Sequence, residues 1–139
     1  MDPDRHSAIL QRIRQIPIFA TLRMDAVRFE DGTCEMTVPR QAIYDGVFES
    51  FHGGILMTIA DSVACFAILT RTPPGQIMTT TDMNIRFLAP CLTDVRARAR
   101  VIKVGRLMCP VAVDLFDTSG TLVAVAQVNY MLLDKMPRR

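Results

Sequence analysis

From residue 53 to about residue 70 the chain reads "GGILMTIADSVACFAILT", apolar on nearly every helical face. That pattern predicts a helix buried on most sides. The following "RTPPGQ" ends it, because two prolines cannot continue a helix. Downstream, residues 77–88, 95–104, 107–116 and 121–133 carry the composition and bounding turns of strands. Gly105-Arg106 and "DTSG" supply turns, so the last three strands are expected to form an antiparallel meander. Pro110 interrupts the strand at residues 107–116, the third of the four, which places it at an edge or a bulge. Upstream, "DRHSAILQRIRQI" has Ala8, Ile9, Ile13 and Ile16 on one face, which suits a short amphipathic helix with Ser7 as its cap. "MDAVRFEDGTCEMTVP" reads as a hairpin turning at Asp31-Gly32, and "AIYDGVFESF", without periodicity, as a loop. One buried helix beside runs of strands indicates an α+β domain, a helix wrapped by an antiparallel sheet.

Composition narrows the picture. At 139 residues the chain has the length of one domain, residues 1–139, and half of it is hydrophobic, enough for a real core. A net charge of +2 favours neither nucleic-acid binding nor an acidic tail. Cys34, Cys65, Cys91 and Cys109 form no C-x-x-C pair. Reduced thiols in a cytoplasmic protein, with no metal site, are therefore expected. "MDPDRHSAILQRIRQ" lacks the apolar core of a signal peptide. The one long apolar run, residues 55–69, is too short for a bilayer and has Asp61 at its middle. A central Asp costs roughly 3 kcal/mol on insertion, so no membrane span is expected.

Asp61 also carries the candidate chemistry. Thr58, Asp61, Ser62 and Cys65 are spaced i, i+3, i+4, i+7, a polar seam on an apolar helix, with Gly54 on the same line one turn earlier. Burying an unpaired carboxylate is costly. One reading has Asp61 cap a neighbouring backbone or pair with an arginine. The other uses the helix start, where unpaired N–H groups and a partial positive charge form an oxyanion site that glycines leave open. Asp61 is then a base or a nucleophile. Gly53 and Asp61 are eight residues apart, roughly 12 Å along the axis at helical rise. A carboxylate there serves a carbonyl held at a second, antiparallel helix, and a two-fold dimer would supply it.

"HGGILMTIADSVACFA", "TTTDMNIRFLAP", "ARVIKVGR" and "GTLVAVAQVNYML", in this order and spacing, resemble hotdog-fold acyl-CoA thioesterases of the PaaI type. The resemblance implies a long central helix wrapped by an antiparallel sheet, a homodimer or homotetramer, and hydrolysis of acyl-CoA without metal or cofactor, CoA being part of the substrate. By position, Gly53 matches the glycine whose N–H polarises the thioester carbonyl, and Asp61 the acid supplied by the opposite subunit. Thr80 matches a Ser/Thr that orients water. Gly105 and Arg106 match a turn near the CoA pantetheine or phosphates, and Gly54 falls on the substrate side of the helix start. The chain departs from the family's N-x-x-G-x-x-H-G-G at Gly46 and Glu49, so the usual side-chain amide is missing. Asp45 would repel an oxyanion; Tyr44 and Ser50 are the remaining candidates nearby.

His52 is read first as support for the loop and helix start and second as a general base. Arg96, Arg98 and Arg100 alternate with apolar residues and are read as a solvated face, with attraction of CoA phosphates as the alternative. Thr80, Asp82, Asn84 and Arg86 are expected to share an exposed face, and methionines such as Met57, Met78, Met83 and Met131 to fill core gaps or an acyl pocket. Two rivals stand beside the thioesterase reading. One is an acyl-CoA hydratase or dehydratase, which needs His52 paired with a carboxylate. The other is a non-catalytic acyl-CoA-binding protein.

Overall fold

The computed structural model describes residues 2–134. In chain order it has α1 (Pro3–Arg14), α2 (Pro17–Thr21), β1 (Asp25–Glu30), β2 (Thr33–Val38), a single 3-10 turn (Ala42–Tyr44), α3 (Gly53–Leu69), β3 (Ile77–Phe87), β4 (Val95–Val101), β5 (Met108–Phe116) and β6 (Leu122–Leu133). The strands form one antiparallel sheet in the order β1-β2-β4-β5-β6-β3. α3 packs against one face of the sheet. The expected hairpin at Asp31-Gly32 and the β4–β5–β6 meander are both present.

The core lies between α3 and the sheet. Ile59, Ala60, Val63, Ala64 and Ile68 of α3 meet Met36, Ala97, Ala99, Val111, Val113 and Val128 of the strands, all buried. Burial alternates strictly along β4, with Arg96, Arg98 and Arg100 on the outer face as expected. Arg96 is held there by Glu35 at 3.1 Å and by the Phe116 ring.

Three expectations change. The cap of α1 is Asp2, whose carboxylate accepts from Asp4 N, and Pro3 occupies the first turn where its missing N–H costs nothing. Ser7 lies inside the helix. Pro110 sits in β5, an interior strand, and the irregularity of the β5–β6 ladder lies elsewhere, between Leu115 and Phe116. Pro110 is tolerated because the β4 ladder ends at Val101↔Val111, one residue short of it; only its carbonyl is used, by Ile102 N at 2.9 Å. Finally, α2 had no counterpart in the sequence reading. None of its five residues is buried.

α1 is fixed across the C-terminal end of α3. The last carbonyls of a helix have no partner of their own, and guanidinium groups satisfy them well. Arg5 donates to Leu69 O at 3.0 Å and to Thr72 O, and Arg12 to Pro74 O at 2.7 Å. This docking brings α2 alongside the polar seam of α3.

Candidate active site

Asp61 is half-buried on α3 and pairs with no arginine among the described residues. Its Oδ1 accepts from Thr80 Oγ1 at 2.7 Å and from Tyr130 Oη at 2.8 Å; the same phenol lies 2.8 Å from the Asp61 carbonyl. Burial raises the Tyr130 pKa well above its ordinary value, and neighbouring Cys65 and Asp61 add to the effect, so Tyr130 stays a donor. No hydrogen bond reaches Asp61 Oδ2 among the described residues. Asp61 lines a cavity of about 460 Å³, and no described buried side-chain polar atom lacks a partner. The unbonded oxygen therefore faces the cavity.

The rest of the seam is structural. Thr58 Oγ1 and Ser62 Oγ donate to the carbonyls one turn back, Gly54 O at 3.0 Å and Thr58 O at 2.7 Å. The Cys65 thiol lies 3.7 Å from Met78 sulfur, and burial pushes its pKa up to about 12, which leaves it a poor nucleophile.

Thr80 reaches Asp61 because β3 carries a bulge. The β3–β6 register runs Thr80↔Tyr130 and then Asp82↔Asn129, so Thr81 is an extra residue. The inward phase is Met78 and Thr80 before the bulge, and Met83 and Ile85 after it. Thr80 and Asp82 thus do not share a face, contrary to the expectation. Asp82, Asn84 and Arg86 are exposed, while Thr80 turns to the helix. Bulges commonly re-aim a side chain in this way.

At the other end of α3, His52 is the N-cap and accepts from Gly54 N through Nδ1 at 2.9 Å. The His52 carbonyl accepts from Ile55 N and Leu56 N, both at 3.0 Å. Of the first-turn amides, Gly53 N–H alone has no partner among the described residues. It opens on a second cavity, of about 400 Å³, lined by Phe51, Phe87 and Leu88. A Cβ on Gly53 would lie 3.3 Å from the Phe87 ring, and one on Gly54 3.0 Å from the imidazole. Gly54 is thus accounted for by the cap. His52 spends its Nδ1 lone pair on capping and pairs with no carboxylate among the described residues, so the proton-transfer pair of a dehydratase is not formed within one chain.

The loop before His52 is anchored by Arg40, a residue the sequence reading did not single out. Its guanidinium binds both oxygens of Asp45, Glu49 O at 2.8 Å and Leu92 O at 2.9 Å. Those hydrogen bonds hold the Asp45 carboxyl below its ordinary pKa. Asp45 is therefore neutralised by an ion pair rather than aimed at a substrate. Residues 46–50 then turn tightly, with Glu49 at φ 56° and Val47 and Phe48 91% and 90% exposed at the tip. Gly46 is not in the left-handed region, and a Cβ there would meet nothing closer than 3.7 Å. At the β4–β5 turn, Gly105 is required by close approach, since its Cβ would fall 2.5 Å from Met108 O. Neither Gly105 nor exposed Arg106 lines either cavity.

Residues 48–124, more than half of the chain, match the thioesterase superfamily. The chain belongs to that family. Its fold is the hotdog fold. A thioesterase family protein of Silicibacter pomeroyi superposes with TM-score 0.86 at 21% identity, over 93% of this chain and 98% of the other. A thioesterase of Haemophilus influenzae gives 0.84 at 20% identity, over 94% and 92%. The E. coli PaaI protein of the phenylacetic acid degradation operon gives 0.86 at 18%, over 95% of each. No curated protein matches the sequence significantly. Membership places this thioesterase-superfamily protein among thioester hydrolases. No helix among the described residues is long and apolar enough to cross a membrane.

Proposed function

We propose that the protein is a cytoplasmic acyl-CoA thioesterase that works without metal as a homodimer or homotetramer, each site shared by two chains. The observation that carries this is Asp61: a half-buried carboxylate with Oδ1 fixed by two hydroxyls and Oδ2 open to a cavity. In this reading Asp61 Oδ2 takes a proton from water as the water oxygen attacks the thioester carbonyl. Gly53 N–H of the second chain and the positive end of its helix stabilise the charge on the carbonyl oxygen. The C–S bond then breaks, and the CoA thiolate leaves with the proton Asp61 has taken. Direct attack by Oδ2 to form an anhydride uses the same residues. CoA as the thiol carrier rests on the PaaI-type resemblance, and Gly105 and Arg106 are its proposed contacts.

The shared site has support within one chain. Asp61 and Gly53 line different cavities. Both are tied to β3, Asp61 through Thr80 and Gly53 through Phe87. β3 is an 11-residue edge strand with one side unpaired, and such an edge is a template for a second chain. Antiparallel pairing centred between Met83 and Asn84 would set Thr80 of one chain opposite Phe87 of the other. Each Asp61 would then face the other chain's Gly53. The exposed Val47–Phe48 tip, just before Gly53, would be covered in the same step.

Thiol release from a panel of acyl-CoAs tests the proposal. Asp61→Asn is expected to fold and assemble like the unmodified protein but to lose about a hundredfold or more in kcat. Near-normal turnover by the variant would remove Asp61 from the mechanism, and failure of the unmodified protein to release CoA from any panel member would overturn the function.

A further inference from the structure

The cavity at Asp61 has a wall that neither the reaction nor the fold explains. α2 and the residue before it contribute Ile16, Ile18 and Phe19 to that cavity. Ile16 and Ile18 are 41% and 48% exposed, and no residue of α2 is fully buried. Phe19 is the one α2 side chain packed on the core, through an edge-to-face contact with Phe66 of α3, ring centroids 5.3 Å apart; the isoleucines are not needed for that contact. Large apolar side chains turned toward an open cavity, with a reactive carboxylate on its floor, are the features of a ligand pocket.

We infer that α2 is the selectivity wall for the acyl group, and that the acyl groups it selects are alkyl chains of medium or greater length. This rests on the thioesterase reading of Asp61. The apolar part of the lining has four branched aliphatic residues, Ile13, Ile16, Ile18 and Leu69, and two phenylalanines that stack on each other edge to face. Such a surface offers no parallel aromatic slot for an aryl ring and suits a flexible chain. The volume, about 460 Å³, is in the range that encloses a drug-sized ligand. Arg12 and Gln15 stand at the cavity's α1 side and mark a polar limit to the apolar wall. A chain seated by its carbonyl at Asp61 runs along Ile18. Each methylene that reaches the wall is expected to tighten binding about fourfold, the equivalent of about 0.8 kcal/mol.

The test compares the unmodified protein with Ile18→Trp, at a position exposed enough to take the larger ring without disturbing the core. The first readout is kcat/KM over straight-chain acyl-CoAs from acetyl upward and benzoyl-CoA. The unmodified protein should rise with chain length, and the ratio of long-chain to short-chain kcat/KM should fall at least tenfold in Ile18→Trp. Equal loss at every length, an unchanged ratio, or a preference for benzoyl-CoA would overturn the assignment. The second readout needs no catalysis: displacement of dansyl-undecanoic acid by free fatty acids of increasing length. Length-dependent displacement that Ile18→Trp abolishes would support the wall even if no acyl-CoA were hydrolysed, a result that would count against the thioesterase reading alone. Absence of probe binding to both proteins would overturn the wall whatever the hydrolysis shows.

Discussion

Asp61 depends on two hydroxyls for its position, and they are not equivalent. Thr80 reaches it from the edge strand across a bulge, whereas Tyr130 reaches it from β6, an interior strand, and also touches the helix carbonyl. Hydrogen bonds to a charged group are worth about 1.5–3 kcal/mol. Tyr130→Phe keeps the ring in its buried slot and removes only the phenol hydroxyl, so it is expected to cost about 2 kcal/mol of stability and to lower kcat roughly tenfold or more. Urea denaturation and steady-state kinetics measure the two effects. An unchanged kcat with the stability loss present would show that Thr80 alone positions the carboxylate. Tyr130 had a legible signal in the sequence. In "QVNYML" it alternates with Val128 on the inward phase of a strand, and a buried phenol needs a partner for its O–H. What the sequence lacked was the partner's identity, because Asp61 lies 69 residues away. Thr80 was legible only by resemblance, since one extra residue in β3 inverts its face, and strand periodicity within "TTTDMN" contains no mark of the insertion.

At the scale of elements, α3 was readable because seventeen residues of nearly uniform hydrophobicity end in "RTPPGQ", and the meander because its turns are local. α2 was not, because five residues at "PIFAT" leave too short a window for any period to show. The loop leading into α3 was legible as a loop but not as an anchored one; Arg40 and Asp45 are ordinary surface types until folding brings the β2 end, the loop and residue 92 together. That anchor makes a prediction with a defined sign. Asp45 is held below the ordinary carboxylate value of 3.8 by its hydrogen bonds to Arg40. The stability it contributes is therefore fully present above that value and is lost as pH falls through the depressed one. Asp45→Asn should melt below the unmodified protein at neutral pH, and the difference should narrow on going from about pH 5 to about pH 3. A difference of constant size over that range would assign the effect to geometry rather than to the ion pair. Because the loop leads directly into the His52 cap and the Gly53 amide of the proposed site, the same variant should also lose kcat.

At the scale of the whole molecule, one chain holds the two halves of the proposed site apart. Its Gly53 amide and its Asp61 carboxylate are separated by roughly 12 Å of helix and open on different cavities. They sit at two ends of one unpaired strand edge, with Thr80 and Phe87 as the markers. The proposed isologous pairing would turn that separation into two complete sites, because whatever one chain lacks at each end the other would supply. The consequence can be measured by mixing two inactive variants. In Gly53→Pro the N–H that would polarise the carbonyl is gone; Gly53 N–H makes no bond in the first turn of α3, and the ring needs only that the exposed Phe87, 3.3 Å from a Cβ there, gives way slightly. Asp61→Asn lacks the base. Neither homodimer has an intact site. A hybrid dimer has one site with both defects and one with none, so a statistical mixture, half of it hybrid, is expected to recover about a quarter of the unmodified turnover. Sedimentation of the mixture verifies that subunits have exchanged, and the circular dichroism of Gly53→Pro verifies that it folds. If exchange and folding are established and the mixture stays as inactive as its components, the two groups do not meet across chains.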